Sequence, residues 1–297
     1  MSETTEDQNV RVAAICDQMA ALEGPLLPIL HEVQEEFGYI PDGALQTIAK
    51  KLNLSRAEVH GVASFYHDFR EEKAGKHVVT ANKALIAHHG TGLARSAEAK
   101  GVALAYEAAV AGGIPIIKAV REGLAANRIN CVAGIINGTG NFILTEMRDK
   151  GRDFADVLKE AQELGYAEAD PTFDVEGIDA AHKLTILASI AYGIPLQFER
   201  CYTEGISKIA PEDVAYAEEL GYRIKHLGVS RRTDAGIDLR VHPTMIPDSR
   251  PIANVDGVMN AVMVKGDAVG DTLYVGAGAG AGPTASAVVA DIMDLAR

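Results

Sequence analysis

The amino-acid sequence changes character near residue 76, and this change limits what the chain of 297 residues can fold into. Before it, the sequence has the pattern of short helices: apolar residues in 26–38 recur at helical spacing and stop at a glycine. Ser55 followed three residues later by Glu58 has the form of a capping box, which indicates the start of a further helix. The sequence therefore predicts a small helical unit over residues 1–75.

After this point, β-branched runs bounded by turn residues alternate with segments of helical periodicity. The predicted strands include KHVVTAN, GIPIIKAV and NRINCVAGIING, and the last third, with its D-A-G and G-D turns, is typical of an antiparallel or mixed sheet. The predicted helices occupy 141–150, 154–164, 176–193 and 211–220. We therefore predict an α/β (α+β) domain with a mixed sheet over residues 76–297.

Composition argues against several classes of protein. A formal net charge of -13, without a local basic patch, argues against nucleic-acid binding. No apolar run reaches the roughly 18 residues of a membrane-spanning helix, and the acidic N-terminus lacks the features of a secretory signal. We therefore expect a cytoplasmic protein that has no membrane partner. Cys16, Cys131 and Cys201 form no C-x-x-C pair, and we interpret them as buried or incidental thiols.

Carboxylates are densest between residues 164 and 188, next to a histidine and a lysine. This stretch contains Glu168, Asp170, Asp174, Glu176 and Asp179, followed by His182 and Lys183. Asp179 and Lys183 are four residues apart on a predicted helix and so share one face. One interpretation is an exposed ion pair beside an acidic helix N-terminus. The other is a site in which carboxylates bind a substrate ammonium and the lysine delivers a proton to a carbonyl oxygen.

Four stretches carry a resemblance to a known family. From residue 75 onward the chain contains, in this order, GKHVVTANKALIAHHG, YEAAVAGGIPII, INGTGNFIL and GYAEADPTFDVEGIDAAHKL. Together they resemble homoserine dehydrogenase, and the resemblance runs to the C-terminus. It implies an NAD(P)H-dependent interconversion of L-aspartate 4-semialdehyde and L-homoserine, on the route to threonine, methionine and isoleucine, carried out by a homodimer.

The resemblance also implies roles for individual residues. Lys183 would donate a proton to the substrate carbonyl oxygen, and Asp179 would orient both this lysine and the substrate. Glu168 and Asp174 would hold the substrate ammonium, helped by the backbone of Gly165.

The implied cofactor and metal contacts involve other residues. Lys83 would be catalytic and would stand where NADP or NAD meets the substrate, because a positive charge there favours a developing alkoxide. Gly280, in a G-x-G-x-x-A stretch near the C-terminus, would bring glycine backbone close to the cofactor. A sodium ion would be bound by the carboxylate of Glu107 and by the backbone carbonyls of Val110, Gly112 and Ile114.

The sequence before Lys83 departs from this family. No strand followed by G-x-G-x-x-G precedes that lysine, so we predict no complete Rossmann domain and little or no NADPH oxidation by this chain. Instead, residues of about 9–75, and 26–69 in particular, resemble the helical N-terminal part of the thioredoxin-like [2Fe-2S] subunit of NADH and formate dehydrogenases. The three cysteines do not match the cluster ligands of that subunit, so we predict no iron-sulfur cluster.

Two functions remain open at this point. The first is a homoserine dehydrogenase-type oxidoreductase. The second is a non-catalytic chimeric protein, in which a helical docking module is fused to a self-associating scaffold that binds homoserine. We interpret the chain as a fusion whose two parts meet at EEKAGKHVVTANK.

Overall fold

The computed structural model of the protein describes residues 5–65, 69 and 76–296. It divides into two compact units, which span Met1–Lys76 and His77–Arg297. The predicted fusion point lies in part at residues 71–75, outside the described residues.

The described residues of the first unit form four helices, and their bounds follow the predicted periodicity. They are α1 (Thr5–Met19), α2 (Leu26–Phe37), α3 (Asp42–Leu52) and α4 (Arg56–Phe65). The predicted capping box of α4 is confirmed, because Ser55 N–H donates to Glu58 Oε2 at 2.7 Å and Glu58 N–H donates to Ser55 Oγ at 3.2 Å. The apolar faces of the helices meet in one core, which includes Val12, Ile29, Leu30, Val33, Ile48 and Val59.

The second unit begins with a small βαβ arrangement. Strands β1 (Val78–Val79) and β2 (Leu104–Ala105) pair in parallel, and helix α5 (Lys83–Ala99) connects them. Asn82 caps α5, because its side chain accepts the Leu85 N–H at 3.0 Å. This cap fixes where α5 begins, and so places Lys83 on the first residue of the helix.

A six-stranded mixed sheet follows and confirms the predicted fold class. Its strands are β3 (Ile129–Ile135), β4 (Tyr202–Thr203), β5 (Tyr222–Thr233), β6 (Gly236–Pro247), β7 (Met259–Gly266) and β8 (Gly270–Ala277). Their order is β4-β6-β5-β3-β7-β8, and every pairing is antiparallel except that of β4 with β6.

Helices cover this sheet and carry most of the residues singled out from the sequence. They are α7 (Gly138–Lys150), α8 (Phe154–Glu163), α9 (Thr172–Val175), α10 (Ile178–Tyr192), α11 (Pro211–Glu219) and α12 (Ala281–Leu295). Helix α10 packs on β3, β5 and β6, and it is buried over most of its surface. Its polar residues are therefore placed inside the unit rather than at its surface.

The predicted strand in GIPIIKAV is wrong, because this segment is helical. Helix α6 (Ile116–Lys118) continues directly into a single π-helical turn at residues 119–123. The buried Glu107 carboxylate accepts the N–H groups of Ile117 at 2.8 Å and Lys118 at 2.9 Å, which satisfies donors that the first helical turn leaves unpaired. Tertiary contacts thus outweigh the β propensity of the two buried isoleucines.

No helix among the described residues has both the length and the apolar character needed to cross a membrane.

A buried lysine ties β5 to the loop before β7. Lys225 is 1% exposed, and its ammonium donates to Asn141 Oδ1 at 3.1 Å, to the Val255 carbonyl at 2.7 Å and to Asp256 Oδ1 at 2.9 Å. Arg148 donates to the same Asp256 oxygen at 2.9 Å. Burial raises the pKa of Asp256, but the hydrogen bonds from Arg148 and Lys225 outweigh it and lower the pKa to about 2.

This network predicts an acid-sensitive contribution to stability. Because the folded pKa of Asp256 is depressed, its contribution is complete above the ordinary value of 3.8 and is lost as the pH falls towards about 2. The side chain is 36% exposed, so we expect solvent screening to limit the pH-dependent part to about 1 kcal/mol. Urea unfolding at pH 7, 4 and 3 measures the free energy of unfolding, and Asp256→Asn should make this free energy less dependent on pH.

Asp234 provides the matched control, because it is an exposed aspartate in the turn between β5 and β6. Asp234→Asn should leave the acid dependence of unfolding as it is in the unsubstituted chain. If Asp256→Asn and Asp234→Asn gave parallel pH dependences, the assignment to Asp256 would be wrong.

Candidate active site

A buried ion pair on α10 forms the centre of the site. Lys183 Nζ donates to Asp179 Oδ2 at 2.7 Å and to the carbonyl of Ile136 at 2.8 Å. The side chains of Asp179 and Lys183 are 5% and 12% exposed. The interpretation of these residues as an exposed ion pair is therefore wrong. Burial makes such a pair costly unless hydrogen bonds compensate each charge, and two acceptors, Asp179 and the Ile136 carbonyl, serve the Lys183 ammonium.

A second lysine reaches the same carboxylate from α5. Lys83 Nζ lies 3.1 Å from Asp179 Oδ1, the oxygen that Lys183 does not contact. The two lysines are 100 positions apart in the sequence, and the packing of α5 on α10 brings them together. One carboxylate thus pairs with two ammonium groups, each at its own oxygen, which leaves a net positive charge. Such a cluster holds positive charge in place beside the partly exposed Lys83.

Asn137 connects the two aspartates and was not predicted as a site residue. Its Nδ2 donates to Asp174 Oδ1 at 2.7 Å and to Asp179 Oδ2 at 3.0 Å. Its Oδ1 accepts the Gly140 N–H at 2.8 Å, which caps α7. The sequence signal was present, since an asparagine directly before G-T-G and a helical segment has the form of an N-cap.

The two aspartates differ in pKa. Burial raises the pKa of Asp174, although Asn137 donates a hydrogen bond to it. Burial also acts to raise the pKa of Asp179, but the charges of Lys183 and Lys83 and the hydrogen bonds from Lys183 and Asn137 lower it overall. Asp179 is therefore held ionised, and Asp174 is the carboxylate that protonates more readily.

The other predicted substrate contacts lie on an exposed turn after α8. Gly165 and Glu168 are both exposed. The turn is anchored near the cluster, because Thr139 Oγ1 donates to the carbonyl of Tyr166 at 2.6 Å. The structure thus brings Asp174, Asp179 and both lysines together, whereas Gly165 and Glu168 are exposed on the turn after α8.

The predicted sodium site is built around a buried carboxylate. Glu107 is 2% exposed. Both of its carboxylate oxygens accept N–H groups at the start of α6. Its own backbone N–H donates to Asp291 Oδ2 at 2.8 Å. Burial raises the pKa of Glu107, and the charge of Asp291 adds to this effect. The Ile114 carbonyl already accepts the Ile116 N–H at 2.7 Å. The described residues contain no group of three or more histidine, cysteine or carboxylate side chains suited to a metal ion.

The glycine-rich stretch before α12 packs on the loop that follows Glu107. Gly113 N–H donates to the Ala277 carbonyl at 2.8 Å, and a Cβ at Gly113 would lie 2.6 Å from that oxygen, so only glycine fits. Gly280 precedes α12 with a φ of 109° and without a side-chain cap, and Gly282 faces open space. The N-terminus of α12 therefore presents backbone N–H groups that no side chain caps.

Comparison with protein-family models gives two matches. The homoserine dehydrogenase family matches residues 115–293. The thioredoxin-like [2Fe-2S] ferredoxin family matches residues 12–99, beyond the predicted limit of that resemblance at residue 75 and through α5.

Individual relatives agree with the first match. The homoserine dehydrogenase of Pseudomonas aeruginosa is 76% identical over 223 residues, which are 75% of this chain and 51% of that protein. A crystal structure of a homoserine dehydrogenase from Thiobacillus denitrificans is 74% identical with a TM-score of 0.74, and it covers 74% of this chain and 51% of that one.

A third relative is more distant in sequence. A hyperthermophilic archaeal homoserine dehydrogenase, solved in complex with NADPH, is 30% identical with a TM-score of 0.64 and covers 74% of this chain and 63% of that one. The chain therefore spans about half the length of the two closer relatives.

Proposed function

The chain belongs to the homoserine dehydrogenase family, and on this basis we propose that it binds L-aspartate 4-semialdehyde and L-homoserine and acts in their NAD(P)-dependent interconversion. The observation that carries the proposal is the single buried carboxylate of Asp179, which holds the ammonium groups of Lys183 and Lys83. This arrangement keeps a protonated amine fixed beside a carboxylate cluster, which suits an amino-acid substrate with a reactive carbonyl.

In the reducing direction, a hydride adds to the aldehyde carbon and the carbonyl oxygen takes a proton. Lys183 is the proposed proton donor, since Asp179 and the Ile136 carbonyl fix its Nζ. Lys83 is the proposed second cation, which stabilises the negative charge that develops on the oxygen. In the reverse direction, Lys183 takes the proton from the hydroxyl group of homoserine.

The proposed contacts to the substrate ammonium are the carboxylates of Asp174 and Glu168, with the backbone of Gly165. Asp174 is half-buried and is already oriented by Asn137. Glu168 is exposed, so its contact would form when the substrate is present. A hydrogen bond between charged groups contributes about 1.5–3 kcal/mol, which is enough to select an ammonium-bearing substrate.

A dinucleotide is the proposed source of the hydride, in keeping with the NADPH complex of the archaeal relative. Part of this chain fits such a group, because Gly280 precedes α12 without providing a side-chain cap, and exposed backbone N–H groups at a helix N-terminus suit a phosphate. Gly280 and Lys83 are the residues of this chain that would contact the cofactor. The choice between NAD and NADP is not assigned.

A sodium ion at Glu107, Val110, Gly112 and Ile114 also stays a proposal. The carboxylate and backbone carbonyls are hard oxygen ligands, which suit a hard cation. Burial raises the pKa of Glu107, and a bound cation would offset this cost by favouring the ionised form. A homodimer and a cytoplasmic location are likewise predictions that accompany the family.

Homoserine binding tests the proposal directly. Isothermal titration of the 297-residue chain with L-homoserine at pH 8 should show saturable binding, and Asp174→Asn should weaken it about tenfold or more through loss of a charged partner. Asp170→Asn is the matched control, since Asp170 is an exposed carboxylate that accepts the Thr172 N–H at 3.1 Å within its own turn.

Turnover provides the second measurement. NADPH oxidation with aspartate semialdehyde supports the dehydrogenase, whereas homoserine binding without turnover supports the non-catalytic scaffold. Absence of both homoserine binding and turnover would contradict both functions.

A further inference from the structure

Two histidines join the helices that carry the site lysines. His182 lies on α10 next to Lys183, and His88 lies on α5, one and a half turns after Lys83. Their Nε2 atoms are 3.2 Å apart, which is a hydrogen-bond distance. Helices α5 and α10 are therefore connected at two points near the site, by this histidine pair and by the ion pair of Lys83 with Asp179.

Two aromatic rings contact the histidine pair. Phe198 contacts both rings, with centroids 4.3 Å from His182 and 4.9 Å from His88. The Phe173 ring centroid is 5.4 Å from that of His182, and the Lys83 ammonium is 5.9 Å from the Phe173 centroid. The packing therefore links the histidine pair to Lys83 through Phe173, and a cation near an aromatic face is weakly attracted to it.

The burial of His182 decides which ring donates. His182 is 3% exposed, and its Nδ1 is buried without a hydrogen-bond partner among the described residues. A buried N–H group without an acceptor is rarer and more costly than a buried acceptor without a donor. The proton of His182 is therefore assigned to Nε2, which donates to Nε2 of the exposed His88 ring.

We propose that the His88–His182 hydrogen bond is a positioning contact, which holds α5 on α10 and thereby fixes Lys83 against Asp179. Neither histidine touches the reacting atoms in this role. Both act through the placement of the Lys83 ammonium. The importance of the contact for turnover rests on the proposed function, but the existence of the contact is independent of that function.

The contact requires at least one neutral ring, because two protonated rings present only donors to each other. The charged and titratable groups that act on His182 are His88 and Lys83 on α5, Asp179 on its own helix and Glu199 beside Phe198. Burial lowers the pKa of His182, the charges of His88 and Lys83 lower it further, and Asp179 and Glu199 oppose them.

The test measures Lys83 directly in the full chain. Proton–nitrogen NMR of the lysine ammonium groups at low temperature detects those that are held in ion pairs, and Lys83→Arg and Lys183→Arg assign the two signals. His88→Phe keeps an aromatic ring on Phe198 but removes the acceptor. We expect it to broaden or remove the Lys83 signal and to leave that of Lys183, which keeps both of its own contacts.

Two further variants separate the hydrogen bond from general packing. His88→Gln supplies an amide oxygen as acceptor and should restore the Lys83 signal. His89→Phe changes the neighbouring exposed histidine, whose centroid is 6.2 Å from that of His88, and should leave both lysine signals unchanged. An unaltered Lys83 signal in His88→Phe overturns the proposal, as does its equal loss in His89→Phe.

Steady-state kinetics distinguishes a positioning role from a purely structural one, because kcat and KM should respond differently. His88→Phe should lower kcat about tenfold with little change in KM, and His88→Gln should recover most of it, because a small misplacement of a reacting group has large effects on rate. A normal kcat in His88→Phe overturns the role in turnover. If the unsubstituted chain has no turnover, the proposed function fails, and the NMR result still decides whether the contact fixes Lys83.

Discussion

Where the unsubstituted chain oxidises NADPH, Lys183→Ala should reduce kcat by about 10²–10⁴-fold, the range over which a positioned proton donor contributes to catalysis. The buried Nζ of Lys183 is the group that Asp179 and the Ile136 carbonyl hold in place, and alanine removes the proton together with the ammonium charge. KM should change less, because Asp174 and Lys83 remain. Steady-state NADPH oxidation with aspartate semialdehyde, at saturating concentrations of both, gives the measurement.

Two comparisons make this result specific to proton donation. Lys183→Arg keeps the positive charge, but a guanidinium holds its proton too strongly to be an efficient acid, so it should not restore the rate. Lys208→Ala removes an exposed lysine outside the site and should retain full activity. Unchanged turnover in Lys183→Ala, with the chain folded by circular dichroism, would remove Lys183 from its proposed role.

Asp179→Asn should destabilise the second unit by about 3 kcal/mol, because it leaves two ammonium groups without their shared counterion. The loss should lie at the lower end of the range for broken buried pairs, since the Lys83 side chain is 35% exposed and can return to water. Lys183 is 12% exposed and has less access to solvent. Urea unfolding at pH 7, followed by a signal from the second unit, measures the change in free energy.

Asp174→Asn is the matched comparison. Asp174 and Asp179 both accept a hydrogen bond from the Asn137 amide. Among the described residues, both lysines form their ion pairs within 4 Å with Asp179 and not with Asp174. Its destabilisation should be small, since burial already raises the pKa of Asp174 and disfavours its charged form. An equal loss of unfolding free energy in the two variants would show that the two ion pairs of Asp179 do not determine stability at this position.

The pH dependence should distinguish the same two residues. The folded pKa of Asp179 is depressed, so its stabilisation is complete above its ordinary range and is lost as the pH falls through the lowered value. The folded pKa of Asp174 is raised, so its ionisation costs stability as the pH rises through its folded value.

Much of the local structure could be predicted from the sequence. Helical periodicity located α2 and α3 to within two residues, and the spacing of Ser55 and Glu58 identified the cap of α4. The four-residue spacing of Asp179 and Lys183 predicted that they share one face of a helix, and in the structure they are in contact. These features depend on short-range geometry, which the order of residues specifies directly.

Other features of the site depended on contacts across the fold. The strand predicted in GIPIIKAV is a helix because Glu107, about ten residues earlier, satisfies its first N–H groups. Asn137 was overlooked as a site residue because its amide becomes informative only when Asp174 and Asp179 are folded beside it. No pattern in the sequence indicated the pairing of His88 with His182.

The sequence by itself determined the mixed α/β fold class, the resemblance to its family and the helix that carries Asp179 and Lys183, because periodicity, turn residues and four-residue spacing are local properties. Only the tertiary structure decided that this pair is buried and that Lys83 shares its carboxylate. The physical reason is that burial and charge sharing depend on how α5, α10 and the sheet pack together, and contacts between residues 100 positions apart have no signature in sequence spacing.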